Sequence, residues 1–261
     1  MRYGTAGLGA LVIALAGACD NQPATPPAAP PAAVAEATAD AAAVAPEAAL
    51  PPVNVDDAQT KAAAFRAAWG QGSPVHYRPK KADEEAQTYS ASKLIPIGTN
   101  LYALITDGQG GEAHVSAGSL AIHYLKRTVE GFERVGAWPA FIYSGSWGNP
   151  PKWDIRHDLM NAPTLVATAG GTWQGYTCGW ADVIELTPEK PVKRINQLPL
   201  SYSDGGAREE HEATDVEGRI LAGEKGRTLR VRYSGDMNAT VTYAKVGEVY
   251  DAVDMPNIPT C

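Results

Sequence analysis

From Tyr89 onward, hydrophobic and polar residues alternate with period two in short runs set off by Gly, Pro and Asn. The clearest runs are residues 101–106, 119–126, 192–198, 227–233 and 239–245. Leu229, Val231 and Tyr233 alternate with Arg230 and Arg232, the pattern of a half-buried antiparallel strand. Gly235-Asp236-Met237-Asn238 then supplies a turn into the next run. Ahead of these runs the spacing predicts one helix. Asp56 or Asp57 offers the N-cap, Gly70 the stop, and Ala58, Ala62, Phe65 and Trp69 share a face.

Aligned with itself at a shift of about 61 residues, the chain repeats. Leu104-Ile105, Gly110, Gly118 and Ile122 to Leu125 match Leu165-Val166, Gly171, Gly179 and Val183 to Leu186. After one deletion Arg134, Trp138-Pro139 and Tyr143-Ser144-Gly145 match Arg194, Leu198-Pro199 and Tyr202-Ser203-Asp204. The expected fold is mainly β, built from antiparallel sheets with one short N-terminal helix. Two repeats of about 60 residues suit a two-sheet, sandwich-like arrangement or a partial propeller. Too little chain is left for a closed propeller.

The N-terminus follows other rules. Residues 1–18 read as a signal peptide, with Arg2 ahead of an uncharged apolar run that is too short for a permanent membrane span. The stretch Leu15-Ala16-Gly17-Ala18-Cys19 resembles a bacterial lipobox, with the Leu one place further from the Cys than usual. The resemblance implies lipidation of Cys19, for which palmitate is a candidate acyl chain, and a protein facing the periplasm. Asp20 and Asn21 resemble inner-membrane retention residues of enteric bacteria, a rule that does not carry to all bacteria, so either membrane is open. Residues 20–52 contain 14 Ala, 8 Pro and no aromatic residue, and read as a disordered tether. Residues 53–261 read as the β-rich globular domain.

Charge and cysteine content narrow the function. With 22 Lys+Arg against 29 Asp+Glu the chain carries −7, which argues against nucleic-acid binding. Of three Cys, Cys19 is assigned to the anchor, which leaves Cys178 and Cys261 to pair in an oxidising compartment.

No strong catalytic or metal motif is present, and no cofactor is called for. His76, His114, His123, His157 and His211 show no H-x-x-x-H spacing, and there is no G-x-S-x-G elbow. Asp107, Glu112, His114 and His123 form the one metal-like grouping, with His123 more simply a sheet residue. Asp154 and Asp158 flank Arg156 and His157 as a carboxylate pair for glycoside cleavage. Glu209-Glu210-His211-Glu212 reads as a solvated loop.

Trp147, Trp153, Trp173 and Trp180 cluster within residues 147–180. Gly148-Asn149-Pro150-Pro151 points to a loop, so Trp147 and Trp153 are expected to be partly exposed on loops, beside Tyr143 and Asp154, as a surface for a protein or glycan. Trp173 and Trp180 are expected to be more buried. Tyr176-Thr177-Cys178, Tyr202-Ser203-Asp204-Gly205 and Cys261 resemble pieces of the periplasmic inhibitors of C-type lysozyme, small lipoproteins with β-barrel domains. The leading expectation is a non-enzymatic envelope lipoprotein presenting a binding or assembly domain on a tether. The alternative is a periplasmic hydrolase of cell-wall glycan or peptide, and a lysozyme-inhibitor-like protein is a minor one.

Overall fold

The computed structural model describes residues 50–80, 84–209, 212–254 and 256–261. Cys19, with the signal and the tether, lies outside them. The described chain is mainly β, with one helix and two antiparallel sheets.

Helix α1 (Ala58–Trp69) starts where Asp57 accepts the Thr60 N–H at 2.7 Å, and ends at Gly70 in the left-handed region (φ 75°). These caps match the sequence pattern, but the buried face does not. Ala64, Phe65 and Ala68 are buried, whereas Ala58 and Ala62 are exposed. Phe65, fully buried, and the partly buried Trp69 are the large apolar groups that the helix lays on the sheet.

The first sheet is a meander of β1 (Val75–Tyr77), β2 (Gln87–Gly98), β3 (Leu101–Gln109), β4 (Gly118–Thr128) and β5 (Gly131–Ser144). The second runs in order from β6 (Lys152–Arg156) through β7 (Thr164–Trp173), β8 (Tyr176–Leu186), β9 (Pro191–Ser203), β10 (Asp215–Ala222), β11 (Thr228–Gly235) and β12 (Ala239–Val246) to β13 (Val249–Ala252).

β3 and β4 are buried on both faces, which is why they read as nearly continuous apolar runs. Tyr102, Leu104 and Leu125 face the helix with Phe65. Ala103, Ile105, Ile122 and Tyr124 face Leu165, Ala167, Ile184 and Leu186 of the second sheet. The opposite face of β8 places Ala181 and Val183 in a third core, enclosed as β9 to β13 curl into a half-barrel. There Leu229, Val231 and Tyr233 are buried and Arg230 and Arg232 exposed, as the alternation requires.

The repeat is visible in the pairing. Leu104 pairs with His123 and Ile105 with Ile122; 61 residues on, Leu165 pairs with Ile184 and Val166 with Val183. The copies lie in two facing sheets, which makes a sandwich and not radial blades. The third strand departs from the sequence alignment. Gly118 pairs with Ser144 as Gly179 pairs with Ser201, a shift of 57 on that strand. Arg134 is therefore not the counterpart of Arg194, nor Trp138-Pro139 of Leu198-Pro199. Both third strands bulge at a non-glycine residue of positive φ, Ala140 (50°) and Gln197 (52°). Each bulged N–H finds a side-chain acceptor, the Tyr89 hydroxyl at 3.1 Å and Asp182 Oδ1 at 3.0 Å.

His123 is fully buried under the helix, with its ring 4.5 Å from that of Trp69. Burial, and secondarily the Arg134 charge, push its pKa down to about 4. Its folded pKa lies below the unfolded value, so its contribution is complete above about pH 6.5 and is lost as pH falls toward 4, amounting to about 3 kcal/mol. Urea midpoints measured between pH 7 and 4.5 should fall more steeply for the natural chain than for His123→Phe. Parallel profiles would refute this assignment.

Candidate functional site

The four residues expected to form a surface have different surroundings. Trp147 sits in the turn after β5 at φ 56°, 55% exposed, edge-on to His114 with ring centres 5.0 Å apart. Trp153 is half-buried, but on a strand and not in the expected loop. It lies on β6 and packs on the inter-sheet core, and its indole N–H donates to Asp107 at 2.7 Å. The Lys93 ammonium lies 5.9 Å from its ring centre. The half-buried indole is thus a structural group with its polar atom satisfied. Asp154, the next residue of the strand, is exposed, and the Tyr143 hydroxyl is occupied by the Glu85 N–H at 2.9 Å.

Trp173 reverses the second expectation, being 51% exposed. It is the last residue of β7 before the Gln174-Gly175 turn, both residues of which have positive φ (50° and 87°). Its ring lies over Gly171, where a Cβ would come within 2.3 Å of the indole. It stacks on the half-buried Trp180 of β8, with an interplanar angle of 18° and ring centres 6.3 Å apart. Gly171 is thus what allows the indole to lie flat on its own strand.

Beside this stack is a cleft of about 580 Å³, lined by Trp173, Cys178, Trp180, Gln197, Pro199 and Pro259. Its outer wall is the C-terminal segment, held by a Cys178–Cys261 disulfide with a Cα separation of 6.0 Å. The segments that resemble the lysozyme inhibitors meet here. Cys178 lies opposite Tyr202, and the Tyr176 and Tyr202 rings are 6.5 Å apart. Burial and the neighbouring Asp204 carboxylate raise the Tyr202 pKa, so this hydroxyl stays protonated and donates to Asp204. Asp204 also accepts the Thr214 N–H at 2.6 Å and pairs with Arg208 at 2.8 Å, fixing the loop behind the cleft. A second hollow of about 460 Å³ shares Gly179, Trp180 and Ser201 with the first and carries Asn149, Lys152 and Glu217.

The catalytic and metal candidates have other partners. Arg156 grips Asp158 through two hydrogen bonds of 2.8 and 2.6 Å, which holds this carboxyl below its usual range. An ion-paired carboxylate is a poor proton donor at neutral pH, and this weighs against the glycosidase pair. Asp107 is engaged by Trp153, His123 is under the helix and His114 packs on Trp147. Among the described residues no group of three or more His, Cys, Asp or Glu is placed to hold a metal. Glu210 and His211 lie outside the described residues.

The sequence reading missed the Trp173–Trp180 ledge. A usable signal was present, since Gln174-Gly175 between Trp173 and Tyr176 is a two-residue hairpin turn. No protein-family model, curated protein or solved structure matches this chain.

Proposed function

We propose that this protein is a non-enzymatic binding or assembly module of the bacterial cell envelope, held to a membrane by a lipid on Cys19 and presented on the tether of residues 20–52. One observation carries the binding reading: an exposed Trp173 stacked on Trp180 at the mouth of an apolar cleft whose wall is pinned by a disulfide. Such a rigid aromatic ledge supplies large contact area at small entropic cost, for a partner protein or a glycan ring. The anchor reading rests on the residues around Cys19 and on the Ala/Pro composition that follows. Among the described residues no helix is long and apolar enough to cross a membrane.

The test uses the full-length protein, immobilised and offered solubilised envelope proteins and cell-wall glycan fragments. Trp173→Ala should cost less than about 1 kcal/mol of stability, because half of the side chain is already in water. It should lower capture at least tenfold, as expected for a central aromatic anchor. Equal capture by the two proteins refutes the ledge as the binding surface. In cells, Cys19→Ser should abolish labelling by a fatty-acid analogue, and retained label ends the lipoprotein reading.

A further inference from the structure

β7 runs past its outer neighbour. β6 pairs only with the stretch from Thr164 to Thr168, because Pro150 and Pro151 end the strand just before Lys152. Residues 169–173 have β8 on one side and, among the described residues, no strand on the other. Trp173 and Tyr176 flank a two-residue turn and form its hydrogen-bonded pair. Alternation along the strand therefore turns the N–H and C=O of Gly170 and Thr172 outward.

The internal repeat indicates what belongs on that side. β3, the counterpart of β7, is covered to its end by β2, with Ser90, Tyr89 and Thr88 pairing with Asp107, Gly108 and Gln109. Those three positions correspond to Thr168, Ala169 and Gly170. β6, the counterpart of β2, pairs with the first of them and leaves the other two uncovered. The other outer strands carry devices that discourage addition of a strand. β1 and β13 are three and four residues long, and β5 carries Glu133, Arg134, Pro139 and two breaks in its pairing register. The sequence Ala169-Gly170-Gly171-Thr172-Trp173 has no charge, no proline and no bulge. The 460 Å³ hollow opens beside this stretch over the sheet face, lined by Thr168, Ala169 and Gly170, by the turn at residues 145–151 and by residues of β8 to β10.

We propose that this uncovered edge takes an extended polypeptide segment of a partner protein, which adds antiparallel to β7 as β2 adds to β3. Main-chain hydrogen bonds to Gly170 and Thr172 hold the segment, and the adjacent Trp173–Trp180 stack reads its side chains. The uncovered edge spans only residues 169–173, a length that one extended segment fills. This deepens the proposed binding function by naming the ligand as an extended peptide.

The test selects displayed random heptapeptides on the full-length protein, then measures the enriched peptides by titration and amide hydrogen exchange. Thr172→Pro removes one outward N–H and leaves the β7–β8 ladder and both Trp residues in place. Enriched peptides should slow exchange at Gly170 and Thr172 and bind Thr172→Pro at least tenfold more weakly. The exchange measurement needs no variant, so it decides the matter even if Thr172→Pro fails to fold. No enrichment, or protection confined to other amides, overturns the proposal. A natural chain that is dimeric and becomes monomeric as Thr172→Pro also overturns it, in favour of a second copy. Capture that is lost in Trp173→Ala but intact in Thr172→Pro sinks the edge and leaves the aromatic ledge standing.

Discussion

Removing the Cys178–Cys261 bridge should lower stability by about 4 kcal/mol, the largest effect expected of any pairwise change in this domain. The bridge spans 83 residues of sequence and closes a loop that contains β9 to β13. In the chain-entropy model a loop of that length restricts the unfolded ensemble by roughly 4.5 kcal/mol at 25 °C. At this domain size 1 kcal/mol moves Tm by about 2–4 °C, so the double variant Cys178→Ser/Cys261→Ser should melt roughly 8–16 °C lower. The loss has a local side as well. Pro259 and Thr260 wall the Trp173 cleft, and among the described residues of this segment Ile258 is the one buried in the third core. Partner capture should therefore weaken in the double variant even at temperatures where the fold is intact. An unchanged urea midpoint would mean that core packing alone closes the half-barrel.

The second large effect is expected at Arg194. Its guanidinium is almost fully buried and joins β9 to two acidic residues. It pairs with the buried Glu185 at 2.8 Å, with the exposed Glu248 carboxylate at 2.6 Å, and donates to the Glu248 carbonyl at 2.7 Å. Glu248 lies between β12 and β13, so these bonds close the curl of the second sheet back onto β9. Hydrogen bonding from Arg194 holds the Glu248 carboxyl below its usual range, but that group can return to water when the partner is lost. Glu185 cannot. Arg194→Met should cost about 3–5 kcal/mol, because it leaves a buried carboxylate without its counter-charge. Glu248→Gln should leave the denaturation midpoint nearly unchanged, as expected for the exposed half of an ion pair. Glu185→Leu combined with Arg194→Met should recover most of the loss, since two apolar groups leave no charge stranded. Denaturant titration of the three proteins checks the ordering. A double variant as unstable as Arg194→Met alone would show that Arg194 matters for its packing and not for the pair.

The parts of the fold legible in the sequence are those set by neighbouring residues. The Asp57 and Gly70 caps of α1, the alternation of β11 and the turn after it all arise from contacts within a few positions. The repeat was legible in its first two strands because β3–β4 and β7–β8 keep one register at one shift. It failed in the third, because the chain between paired residues is four residues shorter from β8 to β9 than from β4 to β5, so Leu186 pairs with Pro191 where Leu125 pairs with Arg134, and the alignment allowed for a single deletion. The Cys178–Cys261 pairing followed from there being no other partner once Cys19 is set aside.

The candidate site was decided elsewhere. Whether a Trp on a strand is covered depends on what packs over its face, a property of distant segments. Trp153 is half-buried because β6 crosses the core between the sheets and Asp107 stands within reach of its indole. Trp173 is exposed because it ends β7 at a hairpin turn, and Gly171 lets the ring lie flat beside Trp180. Local alternation and capping fixed what each segment becomes. Long-range register decided which aromatic faces meet water, because burial is a relation between strands and no single strand carries it.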